Sequence, residues 1–288
     1  MIVDCHSRIW ESAQQLGPYC REWLARQGVA ADLSADTGEH AAAMREVQYC
    51  LIWGFRSKHL HADIPNTFLA SYLAMYPDRM LGVAAVDVAE DDYFHRLTNI
   101  AKRPEFVGVT ISPAAQNFHP SDSRAMRLYE FCADQHLPVF VDVAADMASG
   151  AVMEYARPAL LDEPARLFPD LTMVISGMGW PWVDEAVALL AKQPRVFADL
   201  AGIARKGSLA YHAIFQAHQA GVTDKVLFAS DFPFSTPDQV IERLYRLNEL
   251  TAGTNLPGVP REALRGIVER DALAALGITP PAAPASAK

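Results

Sequence analysis

The chain is short of cysteine, of long apolar runs and of excess positive charge. Its 288 residues hold only four cysteines, Cys5, Cys20, Cys50 and Cys132. No two of them form a CxxC pair, which argues against a structural zinc site and against dithiol redox chemistry. So few thiols, scattered widely, read as reduced cysteines of a cytoplasmic protein, and Cys5 and Cys50 fall in apolar runs that mark them as core. No apolar run approaches the ~20 residues of a membrane-spanning helix, and the N-terminus has no basic region leading into a long apolar stretch, so no signal peptide is expected. Lysine and arginine number 25 against 34 acidic residues, a formal net charge of -9. That balance disfavours nucleic acid as a partner, because phosphate binding needs a basic surface. A GxSxG nucleophile elbow, a Walker loop and a glycine-rich dinucleotide turn are also missing.

What is present is a rhythm. Short apolar runs ("MIVDC", "VQYCLIWGF", "RMLGVAAVDV", "FVGVTI", "LPVFVDVA", "LTMVIS", "RVFADLAG", "KVLFASDF") alternate with stretches of helical periodicity. Runs that are apolar throughout suit parallel strands buried on both faces. About eight such units are what a (β/α)8 TIM barrel requires, with an open doubly wound sheet as the alternative. We expect one barrel domain over residues 1–278, an insertion at about 11–46 over the barrel mouth, and a flexible tail at 279–288. "EHAAAMREV" is the helix expected before the second strand.

In such a barrel the chemistry sits at the C-terminal ends of the strands. There the sequence offers His6 and Arg8, Arg56 with His59 and His61, Asp87, Ser112, His119, Asp142, Ser176-Gly177, Asp199 and Ser230-Asp231. Asp87 and Asp199 are expected to orient loops or helix N-termini. Arg56, His119 and Trp180 are candidate substrate contacts. "ARKG" at 204–207 reads as a short surface patch.

"IVDCHSRIW", "GVTISPAAQNFHPSD", "LPVFVDV", "VISGMGWPWVDEA" and "DKVLFASDFPFSTPDQ" resemble the amidohydrolase-related family, over nearly the whole chain. The resemblance implies a TIM barrel with a divalent metal, often zinc, at its mouth. It implies hydrolysis of C–N or C–O bonds, lactone opening or decarboxylation, and commonly a dimer. The family pattern has HxH on strand one, histidines at the ends of strands five and six, and an aspartate on strand eight. Position by position these are His6, Arg8, Asp142, Gly177 and Asp231, so only His6 and Asp231 match.

Arginine stays protonated and cannot ligate a metal. Arg8 would repel a dication and would suit carboxylates instead, Asp231, Asp142 or both. Three readings follow. The first is an enzyme acting without a metal or with a weakly held one, on a small carboxylate, amide or lactone, with Asp231, Arg8 and His6 as its catalytic groups. The second is a metal site rebuilt from His6, Asp142 and Asp231, with zinc its first choice. The third is a silent subunit that pairs with an active amidohydrolase paralogue, so that a homodimer or a hetero-oligomer is expected.

Overall fold

A computed structural model describes residues 1–26, 33–143 and 148–280. The proposed tail falls almost wholly outside the described residues. Eight parallel strands run in chain order around one sheet: β1 (Val3–Ser7), β2 (Tyr49–Trp53), β3 (Met80–Ala85), β4 (Phe106–Ile111), β5 (Val139–Val141), β6 (Met173–Ile175), β7 (Val196–Asp199) and β8 (Val226–Leu227). Seven lie inside the apolar runs read from the sequence, and β1 begins in "MIVDC" and runs on through His6 and Ser7. They are buried almost throughout because one face lines the barrel and the other meets helices.

The sheet closes between β8 and β1, which excludes the open doubly wound alternative. Cys5 N–H donates to Phe228 O at 2.9 Å, Asp231 N–H to His6 O at 3.0 Å and Arg8 N–H to Phe232 O at 3.0 Å. Buried Asp4 ties the same seam, its Oδ1 accepting from Ser230 N–H at 2.8 Å and His6 N–H at 3.2 Å. Inside the barrel Val3, Cys5, Leu51, Trp53, Leu81, Val83, Phe140, Val174 and Leu227 pack together, and Ala272, Leu273 and Leu276 plug the end opposite the site. The outer core lies between strands and helices.

The segment between β1 and β2 carries two helices, α1 (Gly17–Arg26) and α2 (Thr37–Ala43). Asp36 caps α2, accepting from Gly38 N–H at 2.7 Å and Glu39 N–H at 2.8 Å. A register shift in β1 between Asp4 and Ser7 divides the side chains at its end. His6 and Arg8 face the mouth, and Ser7 faces outward to α2.

Candidate active site

Loops leaving β1, β5, β6, β7 and β8 enclose a cavity of about 560 Å³, part of it open to solvent. His6, Arg8, Asp142, Gly177 and Asp231 all line it, so the five positions set apart in the sequence do converge. Trp180 lines it too. Arg56 and His119 do not. Arg56 is held on a small hairpin by Asp63 at 2.7 Å and Glu90 at 2.9 Å. His119 is exposed, its ring against Tyr155 and its Nδ1 accepting from Ser121 N–H.

Arg8 pairs with Asp142, Nη2 to Oδ2 at 2.5 Å, and both side chains are buried. A hydrogen bond from Ser176 Oγ to Asp142 Oδ1, 3.3 Å long, holds the carboxylate from the other side. Asp231 has a different partner, Arg205, with Nε 3.6 Å from Oδ2. Burial pushes the Asp231 carboxyl up to about 6, against the lowering pull of His6, Arg205 and Arg8. Its backbone is left-handed, φ 60°, a conformation aspartate tolerates better than most residues and one that gathers at functional sites.

His6 is stacked on Trp53, centroids 3.7 Å apart, and its Nδ1 lies 2.9 Å from Asp199 Oδ2. The other oxygen of Asp199 accepts from Gly177 N–H at 2.8 Å and from Ala201 N–H at 2.9 Å. Asp199 therefore does orient loops, as expected, and also holds His6, which sequence reading missed.

The reading of "ARKG" as a surface patch is corrected. Arg205 and Lys206 line the cavity, with Arg205 over the Phe234 ring and Lys206 Nζ 4.6 Å from the Trp180 centroid. The signal was available, because these residues follow the end of β7, where barrel loops form the mouth. Trp23 of α1 brings the insertion to the same cavity.

Three buried polar atoms without a hydrogen-bond partner belong to residues of this cavity: His6 Nε2, Arg8 Nε and Arg205 Nε. Two are cationic donors. The third carries a lone pair when the ring is neutral and its Nδ1 proton points at Asp199. Buried unpaired polar atoms are rare, and a cluster of them marks a place that a ligand or water completes.

A resident dication does not fit the described residues. Asp142 is committed to Arg8, position 177 has no side chain, and only His6 Nε2 and Asp231 remain as donors. Among the described residues no three His, Cys, Asp or Glu side chains come together as a metal site. Nor is position 177 a simple loss. Gly177 has φ 55°, and a Cβ there would stand 2.8 Å from Ala201 O, so a histidine would require the loop to move.

A barrel of eight strands with its polar cluster at the strands' C-terminal ends defines the class, and the family follows from comparison. The chain belongs to the amidohydrolase family, whose profile matches residues 3–278. No curated protein matches it by sequence. Among solved structures it is similar to an uncharacterized TIM-barrel protein from Bordetella bronchiseptica, with 22% identity, TM-score 0.70, and coverage of 96% of this chain and 99% of that one. A probable 2-pyrone-4,6-dicarboxylic acid hydrolase from Acinetobacter baumannii, solved with citric acid, is 15% identical at TM-score 0.67, covering 96% and 99%. An amidohydrolase from Burkholderia multivorans, solved with zinc, is 14% identical at TM-score 0.70, covering 97% and 100%.

Proposed function

We propose that this chain is a hydrolase of its family that works without a resident metal on a small compound carrying a carboxylate, such as a lactone or an amide. The observation that carries the reading is the set of donors and one acceptor on one cavity that have no hydrogen-bond partner, Arg205 Nε meeting Asp231 only as an ion pair at 3.6 Å. Arg8 and Arg205 offer N–H groups to an anion, and Lys206 adds positive charge beside Trp180. Arg8 stands where the family pattern has a ligand histidine. In that place it stabilises charge on a bound carboxylate or on the oxyanion of a tetrahedral intermediate. Asp231 moves a proton at the reacting centre, since a carboxyl near 6 is present in both forms close to neutrality. The name of the Acinetobacter protein, a hydrolase of a pyrone dicarboxylic acid with citric acid bound, agrees with a carboxylate-bearing lactone.

Calorimetric titration of the full chain with benzoate and with benzamide tests the anion site. Benzoate should bind more tightly, and Arg205→Gln should weaken it about 10-fold, or ~1.4 kcal/mol. Equal affinity for the neutral amide would refute the reading.

A further inference from the structure

The proposed reaction needs a group that takes the proton from the attacking water, and the Asp199–His6 pair is built to supply one. Asp199 is fully buried and ends β7. Its two oxygens do different work. Oδ1 accepts from two backbone N–H groups, Gly177 and Ala201, and Oδ2 faces His6 Nδ1 at 2.9 Å. A carboxylate oxygen accepts only, so His6 carries its proton on Nδ1. Stacking on Trp53 fixes the ring plane. Nε2 is left with a lone pair, buried, unpaired and on a residue that lines the cavity.

We propose that His6 Nε2 is the acceptor of the water proton and that Asp199 is the positioning residue that sets the His6 tautomer. This deepens the hydrolase reading and rests on it. Water gives a proton to Nε2 as its oxygen bonds to the substrate carbonyl carbon. The imidazolium so formed keeps its Nδ1–H on Asp199. When the tetrahedral centre collapses, the C–O or C–N bond breaks, and the leaving atom takes a proton from Asp231. His6 then returns its extra proton through solvent to Asp231, and the sum is addition of one water across the bond.

The geometry makes a sharp demand on one isosteric change. In Asp199→Asn the amide oxygen must stay on the side of the two backbone N–H groups, because an NH2 there would leave both unpaired. The amide NH2 then points at His6 Nδ1, which becomes an acceptor, and the proton moves to Nε2. The fold keeps its contacts while the lone pair leaves the cavity.

Nitrogen-15 NMR of the full-length protein at about pH 8 reads this directly. The expected wild-type pattern is a protonated Nδ1 and an unprotonated Nε2 on His6, with the two exchanged in Asp199→Asn. A reversed or doubly protonated wild-type ring, or an unchanged tautomer in the variant, overturns the proposal, and the wild-type spectrum alone decides it if the variant does not fold. Alkylation separates this from the parent reading. Bromoacetate and neutral bromoacetamide should both alkylate His6 at Nε2, the lone pair displacing bromide, as mapped by peptide mass spectrometry. Asp199→Asn should slow both reagents by roughly 10-fold or more, and equal rates in variant and wild type would sink the dyad. A preference for bromoacetate that Arg205→Gln removes supports the carboxylate site. Equal wild-type rates for the two reagents would sink that site and leave the dyad standing.

Discussion

The two sides of the end of β1 each bury a histidine, and they treat it in opposite ways. On the outward side Ser7 meets His40 of α2. Ser7 O–H donates to Leu51 O, His40 Nε2 lies 2.9 Å from Ser7 Oγ, and His40 Nδ1 lies 2.8 Å from Tyr72 Oη. One proton assignment satisfies every member: Nε2–H donates to Ser7, and Tyr72 O–H donates to Nδ1. Burial pushes His40 down to about 3, so it is neutral at any ordinary pH. On the inward side His6 has a partner on one nitrogen only. A completed network holds α2 against the barrel, whereas an incomplete one next to a cavity waits for a ligand. Burial does not separate the two, since both rings are almost fully covered. The difference lies in whether every polar atom is paired.

The sharpest way to break this contrast is on activity. Asp231→Asn, on the inward side, should lower turnover of a carboxylate-bearing lactone or amide by about 10²- to 10⁴-fold, while changes at His40 should act only through stability. Unchanged turnover in Asp231→Asn would end the catalytic role of Asp231, whereas absence of turnover in the parent chain free of partners would favour the silent-subunit alternative. Next in size is the ion pair beside His6. Asp142→Ala strands a buried guanidinium and should cost about 3–5 kcal/mol in urea unfolding, whereas Arg8→Met with Asp142→Leu together should be close to neutral. If the single and double changes cost the same, Arg8 and Asp142 do not act as a pair.

The outward histidine comes third. His40→Ala leaves Ser7 and Tyr72 short of a partner in a closed core and should cost about 2–4 kcal/mol. His6→Ala should cost about half as much, because cavity water reaches the space and Asp199 keeps both backbone donors. Equal losses would erase the contrast. The smallest effect is on pH. Asp231 rises from its ordinary 3.8 to about 6 on folding, so the folded chain binds that proton more tightly and loses stability as pH rises through this window. Asp231→Asn escapes the loss and should gain ~1–3 kcal/mol on the parent between these limits. His40, lowered from 6.5 to about 3, runs the other way, its contribution present above 6.5 and lost as pH falls toward 3. A parent and Asn variant with the same acid-side slope would show that Asp231 is not shifted by burial.

All eight strands were legible, because doubly buried parallel strands leave unbroken apolar runs. So was the convergence of His6, Arg8, Asp142, Gly177 and Asp231, because barrel topology sends strand ends to one mouth. The pairing among these residues was not legible. The sequence offers Arg8 two carboxylates and does not say that Arg205 stands at the second, since that depends on how the loop after β7 folds back. Asp199 read as a loop-orienting residue and is one, but its second oxygen is invisible to any pattern of residue types. Arg56 and His119 had the right chemistry at the right strand ends. The hairpin after β2 and the loop after β4 carry them away from the cavity.

The central claim is that Arg8, paired to Asp142, stands in place of a metal. Dication analysis of the purified full-length protein, active and untreated with chelator, tests it most directly. The account predicts metal far below one ion per chain and activity unaffected by chelators. One zinc or other dication per chain, lost together with activity on chelation and absent from His6→Ala, would contradict it.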